Sequence, residues 1–180
     1  GLGHSKSLDC DAGTIDGYCF TRGYGDTLDT MGNYYSGHYN AFQKERLGWL
    51  GYNSMPDIVT VESSGTYTLS PYSTSSSGAK TLKVLKSIDQ SSGRKTWYYI
   101  EYRQARGFDS FISDPASAYI NGQNILNGVV VHLASEGDYD SSQLLDMTPD
   151  SNPAADFSDP ALVVSESFSD SEAGIMITTN

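Results

Sequence analysis

At 180 residues and 19.5 kDa the chain is long enough for one ordinary domain, or for a remnant of one domain joined to a second. With 38% apolar residues and 18 glycines besides, its composition is that of a chain that folds. A net charge of -11 argues against a phosphate-binding surface, which needs concentrated Lys and Arg, so no nucleic-acid partner is expected, and the lack of a run of about eighteen apolar residues argues against a membrane span.

Residues 1–37 are rich in glycine and poor in apolar runs, which predicts irregular loop with tight turns. The two cysteines, Cys10 and Cys19, bracket a stretch of Gly, Asp and Tyr. That spacing suits a local disulfide in a secreted or extracellular protein, and the abundance of Tyr, Ser, Thr, Asn and Gly points the same way. A pair of reduced thiols in a cytosolic protein is the alternative, while a thiolate metal site wants more ligands.

Between Ser36 and Leu50 the apolar residues Tyr39, Phe42, Leu47 and Leu50 recur near helical periodicity, predicting an amphipathic helix capped by Ser36 and ended by Gly51. Asn53-Ser54-Met55-Pro56 reads as a linker, dividing the chain into residues 1–52 and 58–180. Beyond it, strands are predicted for Ile58–Glu62, Gly65–Ser70, Thr81–Ile88 and Thr96–Arg103, with Asp89–Gly93 as a hairpin connection. Val129–Leu133 is apolar at nearly every position and reads as a central strand, and Ala161–Phe168 and Gly174–Thr179 supply the last pair. Phe157-Ser158-Asp159 is echoed by Phe168-Ser169-Asp170, read as similar turns before successive strands. The expected class is mainly β: an irregular segment and one helix in 1–52, then an antiparallel β-sandwich over 58–180.

Gly1-Leu2-Gly3-His4-Ser5 contains the pattern G-x-x-H. In the zinc motif H-E-x-x-H-x-x-G-x-x-H a helix presents two histidines, and the glycine turns the chain so that a third reaches the same ion. Alone, the short pattern is weak: an exposed loop histidine is the ordinary reading of His4, and a flexible gap-filler that of Met31. Taken in order, three segments say more. Gly1–Ser5, Tyr24-Gly25-Asp26 with Thr30-Met31-Gly32, and Tyr39-Asn40-Ala41-Phe42 running into Arg46-Leu47-Gly48-Trp49-Leu50 resemble the gametolysin-like branch of the metzincin zinc endopeptidases. Tyr98–Arg103 and Leu144–Pro149 are similar, more loosely, to the β-rich region that follows the catalytic domain in bacterial relatives.

The resemblance implies that His4 is a zinc ligand, that Met31 is the Met-turn residue forming an apolar floor beneath the ligands, and that residues 1–52 belong to a metallopeptidase catalytic domain. Zinc is then the cofactor, and a protein or peptide the substrate of a secreted endopeptidase. It also places the H-E-x-x-H segment, with its two histidines and general base, upstream of Gly1. The chain carries one ligand of three, and activity of the chain alone is not expected.

The other candidates have milder readings. His132, alternating with Val131 and Leu133, reads as a hydrogen-bonded core histidine, and Tyr34 and Tyr35 as ordinary packing. Glu136, Asp138 and Asp140 offer the dense oxygen supply that calcium uses, with Asp146 and Asp150 nearby, although the spacing is not that of an EF-hand and a solvated acidic loop is the ordinary reading. A second function class treats residues 58–180 as a non-catalytic binding or stabilising module for carbohydrate or protein, with Trp97 and the tyrosines as contacts.

Overall fold

The fold follows from two long strands whose residues are buried on both faces. Lys95–Glu101 carries Trp97, Tyr98, Tyr99, Ile100 and Glu101 in succession, all buried, and Gly128–Ser135 is nearly as enclosed. Such strands belong at the centre of a sheet covered on both sides. In the computed structural model, which describes residues 1–32, 37–50, 57–116, 120–149, 151 and 156–180 (Asp156 by its backbone alone), they lie side by side.

In chain order the elements are β1 (Lys6–Cys10), β2 (Cys19–Arg22), α1 (Ala41–Arg46), β3 (Ile58–Val61), β4 (Thr81–Ile88), β5 (Lys95–Glu101), α2 (Gly122–Leu126), β6 (Gly128–Ser135), β7 (Gln143–Leu145), β8 (Leu162–Val163), β9 (Ser167–Asp170) and β10 (Ile175–Thr178). Short 3-10 turns occupy Gly107–Ser113 and Asp156–Ser158. The main sheet runs β2-β1-β7-β6-β5-β4-β3, with β8 paired to β6, and β9 and β10 form a separate hairpin. The protein is mainly β, as expected, but the sheet is mixed rather than antiparallel. β3 pairs with β4 in parallel, and so does β1 with β7. The chain between Val61 and Thr81 is long enough for the crossover that a parallel pair requires.

Strands from both sides of the expected linker share this sheet. Residues 51–56, which include Gly51 and the linker, lie outside the described residues, as do Ser36, Tyr34 and Tyr35. β1 and β2 stand where irregular loop was expected. They pair from Ser7 opposite Arg22 to Cys10 opposite Cys19, and a Cys10–Cys19 disulfide closes the end of the hairpin. Gly65–Ser70, expected as a strand, joins no sheet, although its side chains keep the alternation, with Tyr67 and Leu69 partly covered and Thr66 and Thr68 exposed.

The helix is shorter than its apolar period suggested. Asn40 caps it, its side-chain oxygen accepting from the Gln43 N–H at 3.0 Å. Gly48, at φ 71, ends it: the Gly48 N–H donates to the Glu45 carbonyl and the Trp49 N–H to the Lys44 carbonyl, the two bonds of a Schellman motif. The leucine-glycine-tryptophan seen in the sequence is therefore a helix stop, and Gly48 supplies the left-handed residue it needs.

The two faces of the sheet bury different partners. Tyr98, Ile100, Val131, Leu145, Leu162 and Phe168 pack on one. On the other, Trp97, Tyr99 and Ala134 meet Phe42 and Ala41 of α1, while Val130 and Leu144 meet Leu28, Ile112 and Ile125. The second face is thus the one that residues 26–50 cover.

Replacing Cys10 and Cys19 together by serine opens a loop of sequence separation 9. The loop-entropy relation gives a loss of about 2–3 kcal/mol. Urea denaturation of the oxidised and double-serine chains measures it.

Candidate metal-ligand segment and the buried charges behind it

Gly1–Ser5 leads into β1 and is fixed by its main chain. The Gly3 N–H donates to the Tyr139 carbonyl at 2.9 Å, and the Gln43 side-chain amide donates to the Gly3 carbonyl at 3.2 Å. A Cβ at Gly3 would lie 2.5 to 2.7 Å from Asp140 and the Tyr139 carbonyl, so this contact requires glycine. The Ser5 N–H donates to the Met31 carbonyl at 3.1 Å. His4 and Met31, far apart in sequence, thus stand on neighbouring, hydrogen-bonded chains. Met31 is half-buried, and His4 is exposed with its Nε2 2.7 Å from the Tyr24 hydroxyl and the two rings 4.0 Å apart.

The other histidines are elsewhere. His38 is half-buried, with Nδ1 3.3 Å from the Lys44 ammonium, and burial and that ammonium hold it below its usual range. His132 is fully buried in β6. Among the described residues no group of three or more His, Cys, Asp or Glu is arranged to hold a metal ion. One exposed imidazole does not fit zinc, which takes three protein ligands in a hydrolytic site. The carboxylates considered for calcium each have a protein partner. Glu136 accepts from the Trp97 indole at 2.8 Å, Asp138 lies 3.8 Å from Arg94, and Asp140 is bound by Lys6 at 2.6 Å, which lowers its pKa. Trp97 is buried in the cluster with Phe42, Tyr99 and Ala134 and is not available as a surface ligand platform.

His132 is the hydrogen-bonded core histidine expected, but the set of buried charges it joins beneath the Met31 segment was not legible in the sequence. The register places Tyr99, His132, Leu144 and Ser7 in one row across the sheet, and Glu101 two residues from Tyr99 on the same face. His132 Nε2 is 2.9 Å from Asp26, and Nδ1 is 3.3 Å from Glu101 Oε1. Glu101 also accepts the Ala41 N–H at 2.7 Å and lies 3.1 Å from Arg103. The Arg103 guanidinium makes a two-pronged contact with Asp109, at 2.8 and 2.7 Å, and donates to the Leu28 carbonyl at 3.0 Å. Asp109 in turn accepts the His38 N–H at 3.0 Å. Asp26, Glu101, Arg103, Asp109 and His132 are fully buried, so each charge depends on these partners.

Asp29 completes the set by accepting the Met31 and Asn40 N–H groups, each at 2.6 Å. Asn40 extends the chain of bonds to Ser5 and Ser142 through its side-chain amide. The segment from Asp26 to Met31 is thereby held at Asp26 by His132, at Leu28 by Arg103, at Asp29 by Asn40 and at Met31 by Ser5. Leu28 also buries its side chain against Ile112, Ile125 and Leu144. This arrangement has no opening to solvent at its charges. Its chemistry is positional: it sets the path of the Met31 turn beside His4. The signal available in sequence was the pair Glu101 and Arg103, two residues apart at the end of an apolar strand, which must share a face.

Comparison of the chain with protein-family models, with curated proteins and with solved structures finds no match.

Removing one charge from this set should be costly. Arg103→Met leaves Glu101 and Asp109 buried without their cation, and a loss of about 3–5 kcal/mol is expected in urea denaturation.

The buried groups also give stability a pH dependence. Against the resistance of burial, Asp26 and Glu101 raise the His132 pKa to about 10, above its unfolded value. The folded state then binds the extra proton, so this contribution is full below about pH 6.5 and is lost as pH rises through 10. Asp29, pushed up to about 7 by burial and then by Asp26, acts in the same sense at lower pH, its contribution declining between its unfolded value of 3.8 and 7. Lys44, lowered to about 8 by burial, opposes the trend above that pH. Denaturation midpoints should therefore fall between about pH 6.5 and 8 in the natural chain, and fall less steeply in His132→Gln; equal slopes would contradict the assignment.

Proposed function

We propose that these residues are part of a secreted zinc-dependent endopeptidase of the gametolysin-like metzincin type, in which His4 is the third zinc ligand and Met31 the residue of the Met-turn. The observation that carries the reading is the juxtaposition of the two segments. His4 presents an exposed imidazole while the next residue, Ser5, is hydrogen-bonded at 3.1 Å to the main chain of Met31. The formed Cys10–Cys19 bridge suits an oxidising compartment, and among the described residues no helix is long and apolar enough to cross a membrane.

Zinc in such a site activates water for attack on a peptide carbonyl. The 180 residues supply one ligand and no general base, so no hydrolytic step is assigned to them. Their contribution is to hold His4 and Met31 in place, with protein or peptide as the substrate of the whole enzyme. The stabilising form of the second reading is absorbed here, because β5, the residues just after it and β6 bring Glu101, Arg103 and His132 against the segment that carries Met31.

The reading expects the parent sequence immediately before Gly1 to be H-E-x-x-H-x-x, and any other sequence there removes it. In that parent chain, His4→Ala should lower peptidase activity by more than about 100-fold, because loss of groups that only orient a ligand already costs 10–100-fold. The isolated 180-residue chain, dialysed against zinc, should retain less than stoichiometric metal; a full equivalent would mean a different site.

A further inference from the structure

At the opposite end of β6 from the loop on which Gly3 docks, roughly 23 Å away by strand length, lies a groove of about 380 Å³. Its floor is apolar, made by Leu82 of β4, Ile100 of β5 and Val129 of β6. One wall is the extended segment Thr66–Leu69, and another is Ile177 and Thr178 of β10. Three features of this groove bear on what it takes.

The first is the wall at Thr66–Leu69. Among the described residues the main-chain N–H and C=O groups of these four residues make no backbone hydrogen bond, and pairing resumes only at Ser70, whose N–H donates to the Ala79 carbonyl at 2.7 Å. Tyr67 anchors the segment from its side chain, the hydroxyl donating to the Ser63 carbonyl at 2.7 Å. The second is the wall at β10, which has a ladder with β9 alone. The third is charge. The chain carries a net charge of -11, yet none of the described residues lining the groove has a charged side chain.

We propose that this groove is a binding site for an extended, uncharged peptide segment that adds as a strand alongside Thr66–Leu69. Backbone groups of a peptide match the N–H and C=O groups of the wall that make no backbone hydrogen bond among the described residues, the mode of recognition known as strand addition. A purely aliphatic ligand would cover those groups and leave them unsatisfied, at a cost of a few kcal/mol each. Acidic side chains in the occupant would be desolvated against Leu82, Ile100 and Val129 with no cationic side chain among the described lining residues. Four residues of wall match about 13 Å of strand, so a pentapeptide spans the groove. The side chains that point to the floor should be small and apolar, and those that point away can be polar. The site is independent of the zinc reading, since it uses none of the residues around His4.

The probe is the blocked pentapeptide Thr-Val-Thr-Val-Thr, titrated into the isotope-labelled 180-residue chain and followed by amide chemical shifts. Shifts confined to Thr66–Leu69 and Ile177–Thr179 are expected. Two control peptides test the mechanism, one N-methylated at alternate residues and one with glutamate in place of both valines. Each should bind at least about tenfold more weakly, the equivalent of one lost hydrogen bond or one uncompensated charge. Thr68→Pro, at an exposed position whose N–H makes no backbone hydrogen bond among the described residues, should weaken binding by a similar factor while leaving the denaturation midpoint in place. Should that variant fail to fold, the N-methylated peptide decides. The proposal is overturned by the absence of shifts at millimolar peptide, by shifts centred elsewhere, or by equal binding of the N-methylated probe. Equivalent shifts with a neutral oligosaccharide and none with the peptide would also overturn it.

Discussion

The structure depends on a guanidinium and an imidazolium removed from water. Arg103 and His132 are fully buried, and removal of either from solvent would be prohibitive without the carboxylates of Glu101, Asp109 and Asp26 at 2.7 to 3.3 Å. An aliphatic core of equal volume can be as stable, so the charges are better understood by what they specify. They accept or donate to main-chain atoms at Leu28, His38 and Ala41, three places in a stretch poor in regular structure. A greasy contact would let that stretch slide; directional bonds to backbone groups give it one path.

This accounts for how a segment such as Asp26–Gly32 is ordered without being helix or strand. Its Leu28 side chain enters the core and its carboxylates turn inward, so its backbone groups are satisfied partly by those side chains and partly by the main chain of Ser5, outside any ladder. Gly32 completes the turn where a Cβ would meet the Asp26 carbonyl at 2.2 Å. The consequence for function is geometric. The chain beside His4 is fixed by these bonds, as the ligand role proposed for its imidazole would require.

Much of the sheet was legible because its physics is local. Thr81–Ile88 is a strand over the full predicted span, and the hairpin after it is set by Asp89, whose carboxylate accepts from the Ser91 and Ser92 N–H groups. The Cys10–Cys19 bridge was legible from spacing for the same reason. β1 was not: Lys6-Ser7-Leu8-Asp9-Cys10 is short and polar, and its parallel partner, Gln143–Leu145, is more than a hundred residues away. The mixed direction of the sheet is a long-range property of this kind. The buried charges were hidden for another reason. An aspartate that caps a turn in water and one that faces a buried histidine are the same letter, and only the tertiary fold brings Asp26 to the Glu101 and His132 that the strand register sets side by side.

The stretch from Asp26 to Met31 should be held as firmly as the strands it covers. Native-state amide exchange measures this directly at the Leu28 and Met31 N–H groups, which donate to Asp26 and Asp29. Protection close to that of Ile100 and Val131 in β5 and β6 is the predicted result, with opening only in global unfolding. Exchange at the rate of an exposed loop, while the strands stay protected, would contradict it.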